Sequence, residues 1–246
     1  MTALRVAPET VPEWLRPVAG LLDRDDPPAL VPWVAPAEAT PRQAAVLMLF
    51  GQGTAGPDVL LLERAHSMRS HAGQVAFPGG ARDPGDADAA SAALREAREE
   101  TGLDPSGVAV LGELPRLWLA PSNFAVTPVV GWWRERSPVW PVDAAETASV
   151  HTVAVEELVD PSVRVTVRHP SGFLGPGFLV RDLVVWGFTA GLLSSLFELA
   201  GWALPWDAAR VVDLPQRLVD SSRRDLDRAE FDRQGARVDR SGPPRP

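Results

Sequence analysis

Cysteine and lysine are both absent from the 246 residues of this chain. Without cysteine there is no thiol nucleophile, no thiolate metal site and no disulfide, which fits a reducing cytoplasmic location. Without lysine every fixed side-chain cation is an arginine, so Schiff-base chemistry and a P-loop lysine are excluded. Tyrosine is missing as well. Carboxylates and arginines must therefore carry any chemistry.

Histidine and net positive charge are also scarce. The four histidines include no pair four residues apart, which excludes a two-histidine zinc site on a helix. The formal net charge is −8. A general nucleic-acid binder needs clustered cations to neutralise phosphates, so we predict no nucleic-acid partner. An anionic substrate would have to be met by a local group of cations.

Membrane and secretion signals are weak. The opening "MTALRVAPETVPEWL" has no basic start followed by an apolar run, so no secretory signal is predicted. The span Leu183–Leu204 has about 20 residues, enough to cross a bilayer on length alone. Three glycines and two serines dilute it, and no basic cluster flanks it. We predict the end of a buried strand and a core helix there, with membrane contact as the alternative.

Short apolar runs bounded by glycine and proline predict a protein rich in strands. The first run is Gln43–Phe50, the last is "GFLVRDLVVWG" over 177–187, and only two helices are clear, Asp88–Thr101 and Phe188–Ala200. With 45% hydrophobic residues, this pattern predicts an α+β fold in which a mixed sheet is sandwiched between helices. We expect an arm over residues 1–40 with a short helix near Glu13–Leu22, a main domain over 41–212 and a charged, disordered tail over 213–246.

One predicted helix carries an unusual group of acidic residues. Glu96, Glu99 and Glu100 lie within five residues, and each like-charged pair at this spacing costs roughly 0.2–0.5 kcal/mol. Asp88 can cap the helix, Gly102 can end it, and an apolar stripe faces the sheet: Ala90, Ala93, Leu94 and Ala97. The glutamates centre about 120° from that stripe. We predict an open acidic face with room for a cation, although a solvated face would explain the charges equally.

The helix and its preceding loop resemble the Nudix box, a glycine, five residues, a glutamate, seven residues and then R-E-U-x-E-E-x-G-U, where U is aliphatic. The second half is matched by Arg95, Glu96, Ala97, Glu99, Glu100, Gly102 and Leu103. The first half departs, because Gly80 lies one residue too far from Arg95. The first glutamate falls in "DPGDAD", where Asp83, Asp86 and Asp88 are the candidates to replace it.

The residues before the box resemble one branch of this family, the coenzyme A (CoA) pyrophosphatases. That branch carries L-L-T-x-R-[SA], three residues, R, three residues, G, three residues and F-P-G-G. The matching residues here are Leu60, Leu61, Arg64, Ala65, Arg69, Gly73, Phe77, Pro78, Gly79 and Gly80. Leu62 departs, because threonine is usual there. The two motifs together cover about 45 residues.

The resemblance implies a Nudix fold and hydrolysis of the CoA diphosphate with a magnesium or manganese ion. By resemblance the metal ligands are Glu96, Glu99 and Glu100, and Arg95 orients a glutamate through a charge-assisted hydrogen bond. Arg95 as an exposed helix arginine is the alternative. Glu146 is a candidate general base or a surface acid, and Glu99 or a metal-bound hydroxide could replace it.

The upstream arginines suit the other end of the substrate. Arg64 and Arg69 present donor forks that match phosphate oxygens, such as those of the CoA 3′-phosphate, although Arg64 could instead pair with an acid. Gly79 and Gly80 permit close backbone approach. Other functions remain open, namely hydrolysis of ADP-ribose or NADH, or a Nudix-fold regulator without turnover. The expected partner is a small molecule, and a homodimer is left open.

Overall fold

The structure is a computed structural model that describes residues 4–33, 38–68, 70–119 and 122–222. The α-helices within these ranges are α1 Arg16–Leu22, α2 Ala89–Thr101, α3 Val155–Val159 and α4 Gly187–Leu199, and residues 216–222 are also helical. Three short 3₁₀ helices accompany them: Pro8–Thr10, Glu13–Leu15 and Pro105–Gly107.

Twelve strands are assigned in the same ranges. In chain order they are β1 Arg42–Gly53, β2 Gly56–Arg64, β3 Val75–Ala76, β4 Gly79–Ala81, β5 Val108–Glu113, β6 Leu117–Leu119, β7 Phe124–Trp133, β8 Thr147–Ala154, β9 Arg164–Arg168, β10 Leu174–Val180, β11 Leu183–Val185 and β12 Val211–Asp213.

The strands form two mixed sheets. The larger follows the order β3-β2-β1-β7-β5, with β4 paired to β1, β6 to β7 and β8 to β2. Its central strands β1 and β7 are parallel, whereas β2, β4 and β5 pair antiparallel to their neighbours. The smaller sheet follows the order β11-β10-β9-β12, with only β12 and β9 parallel.

Both faces of the large sheet are covered, which explains why β1 is a continuous apolar run. Leu47 and Leu49 pack in a core cluster with the alanines of α2. Met48 and Phe50 point to the opposite face, where α1 and α4 supply the other core cluster. The predicted mixed sheet between helices is thus confirmed.

The span Leu183–Leu204 contains β11 and α4, as predicted. In the part of the chain that the structure describes, no helix has both the length and the apolar character needed to cross a bilayer. At the start of this span the structure has one more strand than the sequence predicts. The single strand expected in "GFLVRDLVVWG" is a hairpin of β10 and β11, because Arg181 adopts a left-handed φ of 53° and turns the chain.

The two ends of the domain pack onto it. The short helix expected near Glu13–Leu22 is present, and its Leu15 and Val18 are fully buried in the core beside α4. The first part of the disordered tail predicted over 213–246 is folded: Asp213 ends β12, residues 216–222 are helical, and Leu214 and Leu218 are buried against β9. Apolar spacing outweighs the charged composition there, while 223–246 lies outside the described residues.

Candidate active site

The site is built on α2, whose ends are defined by capping residues. Asp88 accepts a hydrogen bond from the Ser91 amide at 2.8 Å and so caps the first turn. Gly102 ends the helix with a left-handed φ of 68°, which glycine adopts at little cost. The helix packs on β1 and β4 at the centre of the large sheet. A rigid platform therefore holds the three glutamates.

The acidic face is less open than the sequence predicts. Glu99 points to solvent with 58% of its side chain exposed, but the side chain of Glu100 is only 9% exposed. Ala92 is fully buried, and the predicted stripe residue Leu94 is only half-buried. Relative to the predicted stripe, the buried face of α2 is therefore rotated toward Glu96 and Glu100. The sheet covers one side of α2, and residues 140–147 run past its C-terminal end, so two of the glutamates lie between protein surfaces.

Two glycines bring backbone against these glutamates. The amide of Gly79 donates to Oε2 of Glu100 at 2.9 Å. A β-carbon at Gly80 would lie 2.5 Å from the Glu96 carboxyl group, and one at Gly79 would lie 2.3 Å from the carbonyl oxygen of Ala45. A side chain at either position would collide, so Gly79 is required for the close approach of β4 to β1 and Gly80 for that of β4 to α2.

Arg95 lies at the centre of a hydrogen-bond network. Its Nη1 donates to Glu96 at 2.9 Å and to Glu99 at 3.0 Å, while its Nη2 donates to the Ala81 carbonyl at 3.0 Å. The hydrogen bond to Asp86 is the largest cause that raises the pKa of Arg95. These contacts agree with an orienting role rather than with an exposed arginine, since one guanidinium holds two of the three glutamates.

Asp86 is the aspartate that faces Arg95. Its carboxylate accepts from Nε at 3.1 Å and from Nη2 at 3.0 Å, a bidentate pair, and the Arg95 hydrogen bond lowers its pKa. Asp83 lies 3.8 Å from Arg95 and is 65% exposed, whereas Asp88 is the helix cap and pairs with Arg5. Of the three candidates that the sequence leaves, Asp86 is the one with a bidentate contact to Arg95.

Glu100 has the most perturbed environment of the three glutamates. Burial raises its pKa to about 7, the Gly79 amide and Arg64 oppose that shift, and the nearby charges of Glu96 and Glu146 add to it. Burial also raises the pKa of Glu96. Acidic groups that are desolvated and close together favour a positive partner, which is an electrostatic feature of functional sites.

Arg64 and Glu146 approach Glu100 from the end of β2, and the place where these two residues face Glu96, Glu99 and Glu100 is termed the acidic cleft below. Nη1 of Arg64 lies 3.6 Å from Oε1 of Glu100, and Nε of Arg64 is buried without a hydrogen-bond partner among the described residues. The carbonyl of Glu146 accepts from the Ala65 amide at 2.9 Å, which fixes its loop against the end of β2. The other predicted phosphate ligand, Arg69, lies outside the described residues.

The donor set fits a hard divalent cation in its chemistry. Carboxylate oxygens are the ligands that magnesium and manganese prefer, and the glycine-lined approach of β4 leaves no side chain between Glu96 and the sheet. In this arrangement, however, Glu96 and Glu99 turn toward Arg95 and Glu100 toward Gly79. Within the described ranges no three acidic or histidine side chains converge on one point.

Two features of the site go beyond the sequence prediction, which left Asp86 among three candidates and did not include Trp140. The turn "DPGD" has proline and glycine at its centre, and Asp86 closes it by bonding the Asp83 amide at 2.8 Å, so turn chemistry was the available signal for Asp86. Trp140 lies beside Gly102 at the end of α2. Nothing in its local sequence pattern indicates that contact, because the two residues meet only in the folded chain.

Comparison with known proteins gives consistent matches. The NUDIX domain model matches residues 39–169. An uncharacterized Nudix hydrolase NudL from Cronobacter sakazakii is 39% identical over 176 residues, which cover 68% of this chain and 87% of the relative. The namesake from Escherichia coli K12 is 40% identical over 164 residues, 63% of this chain and 81% of the relative. Among solved structures, the Mycobacterium smegmatis Nudix hydrolase RenU has a TM-score of 0.47 and 22% identity, covering 68% of this chain and 89% of its own.

Proposed function

This chain belongs to the Nudix hydrolase family, and we propose that it hydrolyses the diphosphate bond of CoA and its derivatives to 3′,5′-ADP and 4′-phosphopantetheine. Family membership supports a pyrophosphohydrolase acting on a nucleoside diphosphate derivative. The choice of CoA depends on the segment that precedes the box. The remaining questions are how the site holds the diphosphate and what distinguishes CoA from other substrates.

The observation that carries the proposal is the position of Arg64. It belongs to the stretch that resembles the CoA-specific extension, and its guanidinium lies 3.6 Å from Glu100 in the acidic cleft. Its buried Nε has no hydrogen-bond partner in the described part of the chain, so a donor is left for an anionic group. We propose that Arg64, together with Arg69, binds phosphate oxygens of the substrate.

The glutamates have a separate role in the proposal. Glu96, Glu99 and Glu100 would hold a divalent ion, magnesium or manganese, and Arg95 orients Glu96 and Glu99 by the hydrogen bonds described above. When bound, such an ion neutralises the diphosphate and activates water for attack on phosphorus. Asp86 fixes Arg95 and so acts as a positioning residue.

Proton removal from the attacking water needs a base near the acidic cleft. Glu146 is the proposed base, because its loop is fixed at the end of β2 and its charge influences Glu100. Glu99 is the alternative, since it is exposed and on the helix itself. The proposed location of the enzyme is the cytoplasm, where CoA is the small-molecule partner.

A substrate panel tests the proposal against its rivals. The purified chain is incubated with magnesium and equal concentrations of CoA, dephospho-CoA, ADP-ribose or NADH, and kcat/KM is compared. We expect the highest kcat/KM for CoA and loss of all turnover in EDTA. Faster cleavage of ADP-ribose or NADH would overturn the CoA assignment, and tight CoA binding without products would indicate a regulator.

A further inference from the structure

Trp140 is a large aromatic side chain left half-exposed beside the cleft. Its side chain and that of Val142 are among the few large apolar groups that remain exposed in the described residues, at 52% and 50%. The preceding Val139, in contrast, packs against the core cluster that includes α2. The segment is therefore anchored on one side and presents an indole to solvent on the other.

The geometry of the indole shows which face of the ring is covered. A β-carbon at Gly102 would lie 2.8, 2.9 and 3.0 Å from three contiguous atoms of the six-membered ring, Cζ2, Cε2 and Cη2. A β-carbon lying in the plane of the ring, at its edge, would be much closer to one ring atom than to the two atoms bonded to it. The nearly equal distances place the Gly102 backbone over one flat face of the ring. The opposite face and the ring edges are then the surfaces that can account for the 52% exposure of Trp140.

Backbone hydrogen bonds fix this ring relative to the acidic cleft. The amide of Trp140 donates to the Thr101 carbonyl at 2.9 Å, and the amide of Val142 donates to the Glu100 carbonyl at 3.3 Å. The same segment continues to Glu146, which is tied to Ala65 on the far side of the cleft. The segment that presents Trp140 is thus bonded to the backbone of Glu100, whose carboxylate lies between Gly79 and Arg64.

We propose that the open face of Trp140 is the platform on which the adenine ring of the substrate stacks. This inference rests on the proposed function in one respect, that the substrate is an adenine nucleotide. A flat, half-exposed indole matches the flat face of a purine, and stacking on an aromatic ring is the usual way in which proteins bind bases without reading their edges. Capping the end of α2 would need an apolar contact on Gly102, but not an exposed second face.

Two replacements of Trp140 separate stacking from packing. Trp140→Leu keeps an apolar group over Gly102 but removes the flat face, whereas Trp140→Phe keeps a smaller aromatic face. Val142→Ala is the matched control, because it truncates the neighbouring exposed apolar residue of the same segment. The probes are two uncleavable ligands, α,β-methylene-ADP and methylenediphosphonate, which differ only by adenosine. Their dissociation constants are measured by calorimetry with magnesium and the full chain.

We expect Trp140→Leu to weaken α,β-methylene-ADP about tenfold and to leave methylenediphosphonate within about twofold, since stacking on one aromatic ring typically contributes this much. Trp140→Phe should retain most of the affinity, and Val142→Ala should alter neither ligand. Equal weakening of both ligands by Trp140→Leu, no weakening of either, or no binding of α,β-methylene-ADP to the unmodified chain would overturn the inference.

Turnover of CoA by the same variants keeps the two proposals apart. If the unmodified chain does not cleave CoA, yet Trp140→Leu weakens only the adenine-containing probe, the stacking platform stands and the CoA assignment fails. If CoA is cleaved and Trp140→Leu changes neither KM nor the affinity for α,β-methylene-ADP, the CoA assignment stands and the platform fails. Stacking predicts a higher KM for CoA in Trp140→Leu, with kcat nearly unchanged.

Discussion

Replacing Asp86 by asparagine should impair both folding stability and turnover, and it tests whether this residue takes the place of the missing first glutamate of the Nudix box. The Asp86 side chain is 6% exposed and that of Arg95 is 26% exposed, so their bidentate pair is largely shielded from water. Hydrogen bonds to charged groups contribute about 1.5–3 kcal/mol each. Arg95 keeps its contacts with Glu96, Glu99 and Ala81, so we expect a net loss of about 2 kcal/mol.

For a domain of this size, about 2 kcal/mol lowers the melting temperature by about 4–8 °C. Activity should fall by roughly 10- to 100-fold, as is typical when a residue that orients metal ligands is removed. Because the Arg95 hydrogen bond lowers the pKa of Asp86, its stabilising effect is complete above the ordinary aspartate range and is lost as the pH falls through the lowered pKa. The difference in free energy of unfolding between Asp86→Asn and the unmodified protein should therefore disappear only in strong acid.

The assay is thermal unfolding at neutral pH combined with kcat for CoA, and the loop offers two matched controls. Asp83→Asn alters an aspartate that is 65% exposed and 3.8 Å from Arg95, so stability should change by less than about 0.5 kcal/mol. Asp88→Asn preserves a helix-capping side chain and should cost little activity. If Asp83→Asn reduced kcat as much as Asp86→Asn, the assignment of Asp86 would be refuted.

Three further predictions concern the cleft. Glu99→Gln and Glu100→Gln should each abolish turnover. The melting temperature of Glu100→Gln in EDTA should stay unchanged or rise, because a buried charge is removed. Normal rates in both variants would place the site elsewhere. Gly80→Ala should lower kcat strongly because its β-carbon would strike Glu96. The control Gly85→Ala, whose β-carbon meets nothing within 4 Å, should leave kcat unchanged. Equal rates for the two variants would contradict the close approach of Gly80 to Glu96. Arg64→Ala should weaken CoA more than dephospho-CoA if it binds the 3′-phosphate, as KM values for the two substrates will test, and equal losses would assign it to the diphosphate.

The core of the fold was predictable because local patterns and tertiary packing agree there. The helix expected at Asp88–Thr101 begins and ends at the predicted cap residues, Asp88 and Gly102, since capping chemistry is local. The apolar run of Gln43–Phe50 is the middle of β1. Where the chain turns without glycine or proline, as at Arg181, composition contains no signal and a hairpin was taken for one strand.

The candidate site was predictable in its residue types but not in its exposure. Motif spacing brings Arg95 and the glutamates to one helix, yet Glu100 contacts Gly79 and Arg64 through its carboxylate and Val142 through its carbonyl, all of them distant in sequence. The same segment places Trp140 over Gly102, a contact that helical periodicity cannot reveal. The selection of Asp86 over Asp83 likewise depends on how one turn folds back on the helix.

Mass analysis of the products of acyl-CoA tests the proposed reaction most directly. With magnesium, the chain should release 3′,5′-ADP and an acyl-4′-phosphopantetheine whose thioester is intact, because the diphosphate that the cleft is proposed to hold is many bonds from the sulfur. EDTA should stop the reaction, and added magnesium or manganese should restore it. Release of free thiol, loss of the 3′-phosphate alone, or recovery of unchanged acyl-CoA would contradict the assignment of CoA diphosphate hydrolysis.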